Sequence, residues 1–146
     1  MPDHVRVGQL ADADSLHIAQ HPHGLLQARR LAVRHQDGCN QFCSYCIIPY
    51  TRGRVRSRRP EDVEEEVKIL AEEGYKEIVL TGIHLTSYGI DFKDEGIDFL
   101  TLIKRLHAID GIERIRFGSL EPRVITETFA EELSKLPKIC PHFHLS

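Results

Sequence analysis

Short apolar runs alternate with helical stripes along this chain, and that alternation limits its fold more than any other feature. Residues 28–36 alternate apolar and polar positions, which predicts a strand ending at the turn signal Asp37-Gly38. Residues 60–73 predict a helix, with Val63, Val67, Leu70 and Ala71 on one stripe. Pro60 suits its first position, Glu61, Asp62 and Glu64 complement its dipole, and Gly74 stops it. Residues 77–81 are a continuous apolar run, expected of a strand buried on both faces. A second helix is expected near 98–109, with Phe99, Leu102, Ile103 and Leu106 on one face, and a third strand at 113–118. Thr126 caps a third helix carrying Phe129, Leu133 and Leu136, which Pro137 ends, and 142–146 begins a fourth strand. The expectation is an α/β fold of about four parallel strands and three helices, either a flat doubly wound sheet or part of a (βα) barrel. Both put functional loops at the C-terminal ends of strands. The loops after the first three strands should therefore meet on one rim.

Composition narrows the class. The 146 residues suffice for one domain, and a formal net charge of -3 excludes a globally basic nucleic-acid binder while leaving room for a local basic patch. No apolar run approaches the ~18–20 residues of a membrane span, and the N-terminus lacks the shape of a signal peptide. The expected setting is cytoplasmic, without a membrane partner, where cysteines stay reduced and bind metal or do chemistry. Residues 1–28, polar and rich in histidine, read as a linker or disordered lead-in, and 29–146 as the folded part.

Cys39, Cys43 and Cys46 make a C-x3-C-x2-C pattern immediately after the first strand. Three thiolates at this spacing can hold a cubane iron–sulfur cluster and leave its fourth iron without a protein ligand, whereas electron-transfer clusters usually have four cysteines. An open metal position is what catalysis needs. The alternative is a zinc-stabilised, non-enzymatic binding module in which His35 joins the three cysteines as a fourth ligand. Cys140 reads as a buried small apolar residue, and His142 and His144 alternate on the last strand.

The residues 39–46, Cys-Asn-Gln-Phe-Cys-Ser-Tyr-Cys, resemble the C-x3-C-x-aromatic-C motif of the radical S-adenosylmethionine (SAM) superfamily. The continuation 47–58, Ile-Ile-Pro-Tyr-Thr-Arg-Gly-Arg-Val-Arg-Ser-Arg, looks like its methylthiotransferase family. Residues 81–89, Thr-Gly-Ile-His-Leu-Thr-Ser-Tyr-Gly, resemble the branch acting on N6-threonylcarbamoyladenosine in tRNA. The resemblance implies that 29–146 is the N-terminal part of a partial (βα) barrel, cut off in its fourth strand with one sheet edge and an apolar face exposed.

It also implies a 4Fe-4S cluster on Cys39, Cys43 and Cys46, with SAM chelated at the open iron. One-electron cleavage of the sulfonium would give a radical that abstracts hydrogen from the adenine ring, where sulfur and a methyl group are installed. No protein acid–base pair is demanded, since the cofactor carries the chemistry. Tyr45 would pack near the cluster with its backbone approaching the adenine of SAM. Gly82 to His84 correspond to the loop that meets the methionine amino group. Ser119 and Glu121 are placed for the ribose hydroxyls. Arg52, Arg54, Arg56, Arg58 and Arg59 form the one basic patch, read either as phosphate contacts to tRNA or as charges neutralised by the acids of 61–66. The implied partners are tRNA and an electron donor such as a flavodoxin or ferredoxin. The family's N-terminal domain, with three further cysteines, and its C-terminal RNA-binding β-barrel have no counterpart here, so this chain alone is expected not to thiolate tRNA.

Overall fold

The computed structural model describes residues 30–146; the lead-in expected at 1–28 lies outside them. In chain order the main elements are β1 (Arg30–Asp37), α1 (Ile48–Thr51), β2 (Arg56–Ser57), α2 (Pro60–Glu72), β3 (Glu77–Gly82), α3 (Phe99–His107), β4 (Arg114–Phe117), β5 (Ser119–Leu120), α4 (Glu127–Ser134) and β6 (His144–Leu145). β1, β3 and β4 pair in parallel, with Leu31, Ile78 and Ile115 level across the sheet. They stand side by side in chain order. No helix among the described residues is long and apolar enough to cross a membrane.

The helices form where their local chemistry dictates. Pro60 opens α2, and its C-terminus closes with Gly74 at φ +88°. There the amides of Gly74 and Tyr75 donate back to the carbonyls of Ala71 and Leu70, the double bond pattern of a glycine-terminated helix. The Asp98 carboxylate accepts from the Thr101 amide at the start of α3, and Thr126 Oγ1 accepts from the Phe129 amide at the start of α4. Their apolar stripes, Val63, Val67 and Leu70 from α2 with Phe99, Leu102, Ile103 and Leu106 from α3, are buried with Val33, Ile78, Leu80, Ile115 and Phe117 from the strands. At roughly 1.5–3 kcal/mol for each large apolar side chain, this layer is the main source of stability.

Two expectations need correction. β3 is not apolar on both faces: opposite the helices, Arg30, Arg114 and Arg116 converge on the buried carboxylate of Glu77. Burial pushes this carboxyl up, but the three guanidiniums outweigh it and hold it below the usual carboxylate range. A charged cluster thus covers the N-terminal end of that face, and Val79 beyond it is only half-buried.

The fourth parallel strand is also shorter than 142–146. Ile139 bridges Ile115, and the pairing resumes only at His144–Leu145 beside β5. An apolar groove of about 510 Å³ runs along this edge, lined by Ile125, Phe129, Leu133, Ile139, Phe143 and Leu145 among others. The short α1, with Pro49 in its first turn and buried, and the two-residue β2 antiparallel to the end of β1 were not expected.

Candidate cofactor-binding rim

The rim begins with an irregularity in β1. Arg34 pairs with Thr81 but Gln36 pairs with the next residue, Gly82, so His35 is an extra residue in the ladder. Both His35 and Gln36 are buried. The His35 ring stacks on Phe99 with centroids 5.2 Å apart and tilts against Tyr88 at 5.3 Å. Neither ring nitrogen makes a hydrogen bond. Burial pulls its pKa down to about 4, the backbone near Leu85 and Thr81 offsetting only part of the effect. His35 is therefore a core residue, and the zinc set that needed it is not assembled.

Past Gln36 the chain turns at Gly38, with φ +72°, where any Cβ would lie 2.0 Å from the carbonyl oxygen of Arg54. The loop that follows carries the three cysteines, all free thiols. Cys39 is buried, its amide donating to the Gly53 carbonyl at 3.1 Å. Cys43 is exposed and Cys46 half-buried, joined by a bond from the Cys46 amide to the Cys43 carbonyl. Between them Phe42 takes φ +48°, the sole non-glycine in the left-handed region among the described residues. Such a conformation costs about 1–2 kcal/mol and concentrates at ligand-holding loops.

Among the described residues, no three Cys, His, Asp or Glu side chains converge closely enough to share one metal ion. A tetrahedral zinc site requires that convergence, with each sulfur ~2.3 Å from one ion. A cubane does not, because each thiolate meets its own iron. The remaining cysteine, Cys140, is buried beside β4, where its amide donates to the Ile115 carbonyl. Three thiols on one loop, with the fourth committed elsewhere, form a donor set that fits a cluster with one open corner.

The loops after β3 and β4 meet beside this one. Gly82, Ser119 and Glu121 line a cleft of about 240 Å³ together with Ile83 and Gly118. His84 Nδ1 is 2.7 Å from Ser87 Oγ, and its Nε2 lies 3.4 Å from Glu121 Oε1. The other Glu121 oxygen accepts from Thr86 Oγ1 at 2.6 Å. Ser119 Oγ is 2.8 Å from His144 Nδ1. Four of the five residues singled out for the cofactor are thus brought together. Tyr45 is not: its side chain stands 93% exposed on the cysteine loop.

Gly82 serves the fold as well as the cleft, since a Cβ there would lie 2.9 Å from Gln36 Oε1. Gln36, Thr86 and Ser87 were missed in the sequence. For Gln36 the one signal available was its position at the end of an alternating strand, directly before the Asp-Gly turn.

The basic segment divides. Arg52 and Arg56 lie against Asp37, Arg58 pairs with Glu66, and Arg59 pairs with Glu95 while covering the Phe92 ring at 4.7 Å. Of these partners only Glu66 belongs to the acidic run 61–66. Arg54 is exposed and makes no ion pair with any described residue.

The model of the radical SAM superfamily matches residues 33–146. A tRNA-2-methylthio-N(6)-dimethylallyladenosine synthase from Thermoanaerobacter sp. (strain X514) is 53% identical over 108 residues, covering 74% of this chain and 23% of the relative. The protein of the same description from Clostridium botulinum (strain Okra / Type B1) is 48% identical over 108 residues, covering 74% of this chain and 24% of its own length. This chain therefore spans about a quarter of the length of the curated relatives it matches. Among solved structures, the radical S-adenosylmethionine methyltransferase TsrM from Kitasatospora setae, with cobalamin and a 4Fe-4S cluster bound, superposes with a TM-score of 0.54. It is 22% identical and covers 74% of this chain and 20% of that one, a likeness of fold. The superfamily's cofactors are a 4Fe-4S cluster and SAM, which the three-thiol loop fits. With the match running from inside β1 through every loop of the rim, the chain belongs to the radical SAM superfamily.

Proposed function

We propose that this chain is the cluster- and cofactor-binding core of a tRNA methylthiotransferase whose substrate is N6-threonylcarbamoyladenosine. The observation that carries the enzyme reading is the placement of three free cysteines on the loop after β1, which Gln36 ties to the Gly82–His84 loop of the cleft. Cys39, Cys43 and Cys46 would hold the cluster, which with SAM supplies one-electron cleavage of the sulfonium and a hydrogen-abstracting radical.

The chain's own residues position and shield. The backbone at Gly82–His84 would receive the methionine amine, and Ser119 and Glu121 the ribose hydroxyls. The Tyr45 backbone would face the adenine. Thr86 and His84 hold both Glu121 oxygens in place, so the carboxylate is oriented in advance of any diol. A partial (βα) barrel is the reading that superfamily membership supports, with β1, β3 and β4 standing in chain order across the sheet. Arg52, Arg54, Arg56 and Arg58 would face tRNA phosphates, with Arg54 the least committed to the fold. The cell's flavodoxin or ferredoxin would supply the electron, in the cytoplasm.

The substrate assignment rests on the residues 81–89. A second reading, dimethylallyladenosine, is favoured by the descriptions of the relatives at 48–53% identity. The two differ in chemistry, since one adduct ends in a carboxylate and hydroxyl and the other is a branched hydrocarbon. Mass spectrometry of nucleosides from tRNA treated with the full-length enzyme containing this segment separates them. A methylthio group on the threonylcarbamoyl nucleoside supports the proposal, and one on the dimethylallyl nucleoside alone overturns the substrate assignment.

A further inference from the structure

Gln36 is 1% exposed, and its amide touches two loops at once. Its Nε2 donates to the carbonyls of Asp37 at 2.7 Å and Gly38 at 2.6 Å, the two residues that lead into Cys39. Its Oε1 accepts from the His84 amide at 2.9 Å, in the loop after β3. The extra residue in β1 is what sets Gln36 opposite Gly82, and the bare Cα of Gly82 leaves room for that oxygen. We propose that Gln36 is a positioning residue that fixes the cysteine loop relative to the Gly82–His84 loop, so that cluster and cofactor share one preset geometry. The functional meaning rests on reading these loops as the cluster- and cofactor-holding ones; the mechanical coupling does not.

The physical case is one of satisfaction and reach. A buried primary amide has two donors and an acceptor to place, and here all are used on backbone. Backbone partners cannot rotate away, so each bond restrains a chain segment and not a side chain. A cofactor bridging the two loops gains from this restraint, because misplacement by ~1 Å is enough to lose most of an oriented contact. Asparagine is one methylene short of spanning both loops. Glutamate has the reach but at most one donor.

Three variants separate positioning from general stability: Gln36→Glu, Gln36→Met and Gly82→Ala. Hydrogen–deuterium exchange of the metal-free chain is read at the amides of Cys39 and His84, with α2 and α3 as internal reference. In Gln36→Glu the Cys39 amide should exchange at least ten-fold faster while His84 stays protected, because the acceptor remains. In Gln36→Met and Gly82→Ala both should speed up, with α2 and α3 unchanged. Equal acceleration in the helices, or no change at Cys39, overturns the proposal. After anaerobic reconstitution to equal iron content, Gln36→Glu should bind SAM about ten-fold more weakly than wild type, and equal binding also counts against it. If the wild-type chain takes up no cluster, the functional reading fails while the exchange data still judge the coupling.

Discussion

His84 Nε2 lies 3.4 Å from Glu121 Oε1, joining the loop after β3 to the residue that follows β5. With Thr86 Oγ1 on the other carboxylate oxygen, each Glu121 oxygen has one described partner and keeps a lone pair for a ligand. Replacing Glu121 by alanine should weaken SAM binding about 10–100-fold, the loss expected for hydrogen bonds to a charged acceptor. Cluster content should be unchanged, since no cysteine depends on it. Equilibrium dialysis alongside iron analysis checks both. A variant that loses iron in step with SAM would contradict the assignment.

Gly38→Ala should prevent the cysteine loop from closing. The added methyl would meet the Arg54 carbonyl oxygen at 2.0 Å, and φ +72° is unfavourable for any residue with a Cβ. Iron uptake on reconstitution should fall by at least half, while Gly96→Ala, with nothing near its added carbon, should load normally despite the same backbone sign.

His35 makes stability depend on pH. Its pKa in the fold is about 4, below the 6.5 of the unfolded chain, because burial disfavours the cation. Above pH 6.5 both states are neutral and the full stability is present. As pH falls toward 4 the unfolded state takes up the proton first, and about 3 kcal/mol is lost across that window. Denaturant melts of wild type and His35→Phe at pH 7.5 and 4.5 should show this loss in wild type and a smaller one in the variant.

Much of this was legible in sequence because it follows from local periodicity and caps. α2, α3 and α4 fall within two residues of the expected ends, and the cysteine loop sits at the C-terminal end of β1 as the alternation required. What escaped depends on tertiary partners. A strand carrying Glu77 reads as apolar until Arg30, Arg114 and Arg116 are seen to converge on it from neighbouring strands. His35 keeps a zinc alternative open as its fourth ligand until the extra residue in β1 turns it into the core against Phe99. Gln36 has no motif at all, and its partners lie 48 residues away as well as next door.

The basic segment yields a graded expectation for RNA. Arg54→Ala in the full-length enzyme should weaken tRNA binding and reduce the salt slope by about one unit, leaving the melting temperature alone. Arg58→Ala should cost stability first, because that guanidinium pairs with Glu66 and bonds the carbonyl of Arg34. Filter binding across a salt series, with thermal melts of each variant, distinguishes the two effects.

On the proposed function, Cys39, Cys43 and Cys46 hold a cluster whose open iron binds SAM. Anaerobic reconstitution of this chain with iron and sulfide, followed by electron paramagnetic resonance of the dithionite-reduced protein with and without SAM, tests it most directly. About four irons per chain and a cluster signal that shifts on adding SAM are expected, and serine at any one of the three positions should abolish both. A chain that takes up zinc and no iron, or a cluster signal indifferent to SAM, would contradict the account.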